Sequence, residues 1–210
     1  MYWQDLNFEL IREVSQETPE MEILVGLEVD YRPAEEERIR EDLRKVPFDY
    51  VIGSVHEMND WPFDMTEQEA RHREMDPDEL YRRYFAIVAQ AAKSGLFTCI
   101  GHLDLIKIFG IRPVQDILKF AAPALDEIAA HDLVVELNTS GRYKPVREFY
   151  PELKLVHEMK RRGIRFTLGS DAHQPETVGR DLMEAAELLR VVGVNEIVSF
   201  RRGEKIIHPV

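Results

Sequence analysis

The chain has 210 residues, enough for one sizeable core, and its 44% hydrophobic and 31% charged content excludes a disordered or fibrous class. A net charge of −12 repels polyanions and sets aside broad nucleic-acid binding, although a local cationic site inside a cleft stays open. No apolar run approaches the ~20 residues that span a bilayer, and the start MYWQDLNFELIREV lacks a signal-peptide pattern. Cys99 is the only cysteine, so no intrachain disulfide forms. The expectation is one domain over residues 1–210 in the reducing cytoplasm, with neither a nucleic-acid nor a membrane partner.

In chain order, residues 3–17 carry Trp3, Leu6, Leu10, Ile11 and Val14 at helical spacing, and Pro19 ends the run. MEILVGLEVDY predicts a strand, PAEEERIREDLRKV a solvated helix and FDYVIGSVH a second strand. A polar excursion, EMNDWPFDMTEQEARHREMDPDE, leads into the helix LYRRYFAIVAQAAKSG. FTCIGHLD is a third strand, VQDILKFAAPALDEIAAHD a helix interrupted near Pro123, and LVVELNTSG a fourth strand. The helix of PELKLVHEMKRRG, the strand IRFTLGSDAH, the helix of VGRDLMEAAELLRVVG and the run EIVSF complete the pattern. Apolar strands separated by helices predict an α/β fold on a parallel sheet, and polar residues gathered at strand C-termini favour a barrel over a doubly wound sheet.

Four strands end in metal-ligating residues: Glu28 in VGLEVD, His56 in GSVHE, His102 in IGHLD, and Asp171 with His173 in GSDAH. Parallel strands deliver such ends to one face. A mixed His and carboxylate set without thiolate suits zinc, manganese or iron at a hydrolytic site. Taken singly, an Asp after a strand is an N-cap or a turn residue and a His near a strand end is simply hydrogen-bonded. Glu28, inside an apolar run, needs a cation or a metal. His72, His131, His157 and His208 lack a strand-end context and read as surface or structural. Lys107 and Arg112 follow GHLDL, and Arg142 and Lys144 follow ELNTS. All four are candidate phosphate contacts, with solvated loop charges as the alternative. Asn138 and Thr139 are short polar groups at a strand end, and Gly141 lets the backbone approach a ligand or simply turn. Trp61 and Phe63 in NDWPFD read as a lid or as core anchors, the latter preferred.

VGLEVD, DYVIGSVH, IGHLDL, ELNTSG and LGSDAH, in this order, resemble the polymerase-and-histidinol-phosphatase (PHP) superfamily of metal-dependent phosphoesterases, and within it the histidinol-phosphate phosphatase branch. The resemblance implies a distorted (β/α)7 TIM-like barrel holding up to three divalent ions, with a small phosphate monoester, L-histidinol phosphate, as substrate. It implies that Glu28 bridges two metals, His56 and His102 complete one ion's ligands, Asp171 binds the other and His173 serves a third. Glu28, Asp171 and His173 would then form the catalytic centre, with Lys107, Arg142, Lys144 and Asn138 on the substrate. The family's opening His-x-His and second-strand His are not found before Glu28, so the expectation is a barrel lacking its first two strands. Its unpaired edges would then be covered or paired with another chain as a homo-oligomer. Two other readings stand beside the phosphatase: another phosphoesterase or nuclease of the superfamily, which the net charge disfavours, and a non-catalytic relative with a structural or partner-binding role.

Overall fold

The computed structural model describes residues 8–210, so Trp3 and Leu6 of the first helix lie outside the described residues. Five parallel strands form the central sheet: β1 (Gly26–Asp30), β2 (Tyr50–Ser54), β5 (Cys99–Ile100), β6 (Val134–Asn138) and β7 (Arg165–Gly169). Their spatial order β1-β2-β5-β6-β7 follows the chain, each strand pairing in parallel with the next. Helices return the chain between neighbours: α2 (Glu36–Leu43), α4 (Pro77–Lys93), α5 (Ile117–Ala130) and α6 (Leu153–Arg161), with α7 (Leu182–Val192) after β7. α1 (Phe8–Glu17) precedes the sheet. The expected barrel-type α/β architecture is present as an open arc whose edge strands, among the described residues, are β1 and β7. No helix among these residues is long and apolar enough to cross a membrane.

Local sequence explains the helices. Asp76 accepts a hydrogen bond from the Glu79 N–H at 2.8 Å and Pro77 occupies the first turn, which together start α4. Leu80, Tyr84, Val88 and Ala91 then recur on its buried face. α5 corrects the expectation of an interruption. It runs unbroken through Pro123, because Phe120, Ala121, Ala124 and Leu125 on both flanks are buried and offset the missing hydrogen bond.

Strand alternation sorts the core into two parts. Val51, Ile100, Val135, Leu137 and Phe166 face the helices, whereas Cys99, Val134, Tyr50 and Ile52 face the inside of the arc. That inner face is met by a C-terminal hairpin of β8 (Glu196–Arg201) and β9 (Glu204–Pro209). Val198 and Phe200 are buried there, and Phe200 stacks on Tyr50 with ring centroids 5.9 Å apart. EIVSF is thus half of a hairpin. Its two-residue turn places Arg202 and Gly203 at φ of 52° and 80°, the mirror-image turn that matches strand twist. Asp49 clamps the turn through the Arg202 N–H at 2.9 Å.

The polar excursion after β2 is ordered by a small hairpin, β3 (Glu57–Met58) with β4 (Trp61–Pro62), and by α3 (Glu69–Glu74). Trp61 and Phe63 are core anchors, both nearly inaccessible, and they surround His72 with Phe109. His72 is accordingly structural. Its Nε2 lies 2.8 Å from the Phe63 carbonyl and its Nδ1 has no partner, so the proton belongs on Nε2.

Candidate metal centre

Three of the expected ligands come together. Glu28, pointing inward from β1, receives the Ser54 hydroxyl on Oε1 at 2.6 Å. The same oxygen lies 3.0 Å from His102 Nε2 and 3.8 Å from His56 Nε2. One donor atom from each residue falls within 4.8 Å of the others. β1, β2 and β5 are adjacent, so their C-terminal extensions reach a single point. Donors sharing one tetrahedral ion at ~2.1 Å sit about 3.4 Å apart. The two Glu28 distances bracket that value, so the donor set fits a divalent cation.

Outer contacts hold these candidate ligands. The His56 backbone N–H donates to Asp30 Oδ1 at 2.8 Å and its ring Nδ1 lies 3.5 Å from the same oxygen, while Arg32 grips Asp30 at 3.1 Å. Such partners fix ring orientation and leave the opposite nitrogen for the ion. His102 is nearly buried at a φ of 20°, outside the usual backbone regions, and its backbone N–H donates to Glu136 Oε2 at 3.1 Å. Burial alone would raise the Glu28 carboxyl, but the hydrogen bond and charge of His102, with Ser54 and His56, bring it down to about 2. Burial would lower His102, and the Glu28 carboxylate outweighs it, lifting the imidazole to about 9. A cation bound between the two groups would compete with a proton on the imidazole.

Asp171 and His173 stand beside this cluster, outside the three-residue group. Asp171 follows β7 at a φ of 52° and accepts the Ser140 hydroxyl at 3.0 Å. Its charge reaches both His102 and Glu136. The His173 side chain is 84% exposed, with Nδ1 3.0 Å from the Asp171 carbonyl oxygen. Both residues line a cavity of about 310 Å³ together with Ser140, Tyr143, Lys144 and Arg180. Lys144 makes no ion pair among the described residues, and Arg180 lies 3.4 Å over the Tyr143 ring with its Nε buried and unpartnered. Two cations therefore face this cavity, next to Asp171.

The remaining expected contacts are placed differently. Lys107 is a correction: it is 0% exposed and bonded to Asp104 at 3.0 Å, the Phe149 carbonyl at 2.7 Å and Glu148 at 3.4 Å, so its charge is spent inside the fold. Arg112 is held by Glu148 at 2.6 Å and Glu152 at 2.8 Å. Arg142 pairs with Asp181 at 3.2 Å and does not line this cavity. Asn138 is also corrected, because its amide group is consumed internally: Nδ2 donates to Glu136 and Oδ1 accepts the Ser140 N–H. Sequence reasoning missed Arg180 and Glu136. The signal for Glu136 was present, since LVVELN sets a carboxylate within an apolar run just as VGLEVD does.

Comparison with known proteins bears on the whole arrangement. The PHP domain matches residues 7–140. A probable histidinol-phosphatase of Deinococcus radiodurans is 44% identical over 192 residues, covering 91% of this chain and 73% of that protein. A probable histidinol-phosphatase of Schizosaccharomyces pombe is 27% identical, covering 88% of this chain and 64% of that protein. The crystal structure of histidinol phosphate phosphatase from Lactococcus lactis, complexed with zinc, L-histidinol and phosphate, superposes with a TM-score of 0.70 at 22% identity, covering 96% of this chain and 80% of that one. With the domain match spanning more than half its length, and a relative this similar along nearly all of it, the chain belongs to the PHP domain family.

Proposed function

We propose that the protein is a metal-dependent phosphomonoesterase that hydrolyses L-histidinol phosphate to L-histidinol and phosphate, as a cytoplasmic step of histidine biosynthesis. One observation carries the reading. A cluster of two imidazoles and a carboxylate lies beside a cavity holding two cations, with Asp171 between them. The histidinol-phosphatase names of the relatives and the ligands of the Lactococcus lactis structure support this substrate.

Glu28, His56 and His102 would hold one divalent ion, and zinc, manganese or iron suits those donors. Bound there, it would supply hydroxide near neutral pH and screen the phosphate charge. Lys144 and Arg180 offset the dianion's charge from the cavity side and fix its oxygens. Asp171, oriented by the Ser140 hydroxyl, accepts a proton from the attacking water as its oxygen bonds to phosphorus. The ester P–O bond breaks, and His173 at the open rim hands a proton to the departing alcohol oxygen.

The test is phosphate release from histidinol phosphate by the purified chain loaded with zinc or manganese, set beside nucleotide and single-stranded DNA substrates. Turnover confined to histidinol phosphate is expected. A metal-loaded protein that releases no phosphate from it, or that prefers the polynucleotide, would refute the reading.

A further inference from the structure

We propose that Glu136 is a positioning residue that ties the two halves of the site together, an inference that rests on the metal-site reading above. It lies at the third position of β6, only 7% exposed, and faces the inside of the arc. One of its oxygens, Oε2, receives two donors that lead in opposite directions. Towards the three-ligand cluster it takes the backbone N–H of His102 at 3.1 Å. Towards the cavity it takes Asn138 Nδ2 at 2.9 Å. Asn138 Oδ1 in turn accepts the Ser140 N–H at 2.9 Å, and Ser140 Oγ donates to Asp171 Oδ2 at 3.0 Å. A continuous hydrogen-bonded relay, buried up to Ser140, thus runs from the His102 backbone to the part-buried Asp171 carboxylate on the far side of the site.

The other oxygen of Glu136 is seated as tightly. A Cβ built on Gly169 would fall 1.8 Å from Oε1, so β7 carries glycine where the carboxylate packs against its backbone. Gly101, just before His102, has a similar role, since a Cβ there would meet Ser54 Oγ at 2.7 Å. Glu136 therefore has one seat, and from it fixes the backbone of His102 at a φ of 20°, an angle that needs outside support. Loss of the acceptor frees the His102 main chain, and loss of the bond to Asn138 frees the turn that aims Asp171.

The test uses zinc affinity by calorimetry, and inorganic phosphate binding at saturating zinc, in the full chain and two variants. Glu136→Gln keeps a carbonyl oxygen able to accept from both His102 and Asn138, so both affinities should stay within about threefold of the parent. Glu136→Ala strands both donors and should weaken zinc by about 10- to 100-fold, the usual range for removing a ligand's supporting partner, and weaken phosphate as well. Should Glu136→Ala fail to fold, Gly169→Ala supplies the same displacement by pushing on Oε1 and should reproduce both losses. Unchanged zinc affinity in Glu136→Ala or Gly169→Ala overturns the proposal. Loss of zinc affinity with intact phosphate binding overturns the link between the halves. A parent chain that binds no zinc refutes the metal-site reading instead, a separate outcome.

Discussion

Replacing Lys107 with Met should destabilise the fold by about 3–4 kcal/mol at neutral pH, within the range expected when one partner of a buried pair is removed. The structure sets the scale. Lys107 and Asp104 are both 0% exposed and 3.0 Å apart, and at an effective dielectric of ~20 that separation gives an attraction of about 5 kcal/mol. Without the lysine, Asp104 must stay charged and uncompensated or take up a proton. Protonating a carboxyl of ordinary pKa ~3.9 at pH 7 costs about 4 kcal/mol, which caps the loss. Burial already outweighs the Lys107 charge and holds Asp104 above its ordinary range. The variant raises it further. A folded state with a raised carboxyl pKa binds the extra proton, so its relative stability falls as pH rises from the ordinary value up through the folded one. The deficit of Lys107→Met should consequently be small near pH 4 and full at pH 7 to 8. Urea unfolding across that range measures it, and adding Asp104→Asn should recover most of the loss. An unchanged urea midpoint in Lys107→Met, together with weakened phosphate binding, would refute the buried-pair account and return Lys107 to the substrate.

His102→Ala removes a ligand from the three-residue cluster and should lower bound zinc, measured by metal analysis, below one per chain. Lys144→Ala should leave zinc content unchanged and weaken inorganic phosphate by ~10-fold or more, the scale of one charge-assisted hydrogen bond; equal zinc loss in both variants would reverse those assignments. Burial lowers the His72 imidazole below its ordinary ~6.5. Its contribution to stability is thus present above that value and lost as pH falls below it, because the unfolded chain takes up the proton first. Urea midpoints between pH 7.5 and 5 should fall more steeply for the parent than for His72→Gln, and parallel curves would show that His72 is not held neutral.

Much of the candidate site was legible because Glu28, His56 and His102 ride on strands whose apolar runs are unmistakable, and parallel strands present like ends together. Glu28, His56 and His102 needed no knowledge of side-chain packing, only of strand direction. Lys107 was misread because Glu148 and the Phe149 carbonyl, which close over it together with nearby Asp104, come from a distant part of the chain, a contact that no local pattern encodes. Asn138 was misread for a related reason: a short amide at a strand end suits a ligand and an internal relay equally. Pro123 predicted a break that tertiary burial overrode. The second half of the C-terminal hairpin escaped notice because charged Arg-Gly-Glu-Lys dominates its start, and Arg202 stands where the common hairpin turns carry Asn, Asp or Gly.

The C-terminal hairpin has a consequence for the order of events at the ribosome. Because sheet order follows chain order, each central strand meets a neighbour that has already been made, and all five are complete by Gly169. Phe200 and Val198, which close over Tyr50, Cys99 and Val134, emerge only after the last central strand and α7 have been made. A nascent chain therefore carries a paired sheet with a bare greasy inner wall until this hairpin has been made. Premature termination just before residue 196 would release a chain with the Glu28, His56 and His102 cluster intact and that wall exposed, a species set to aggregate rather than to misfold.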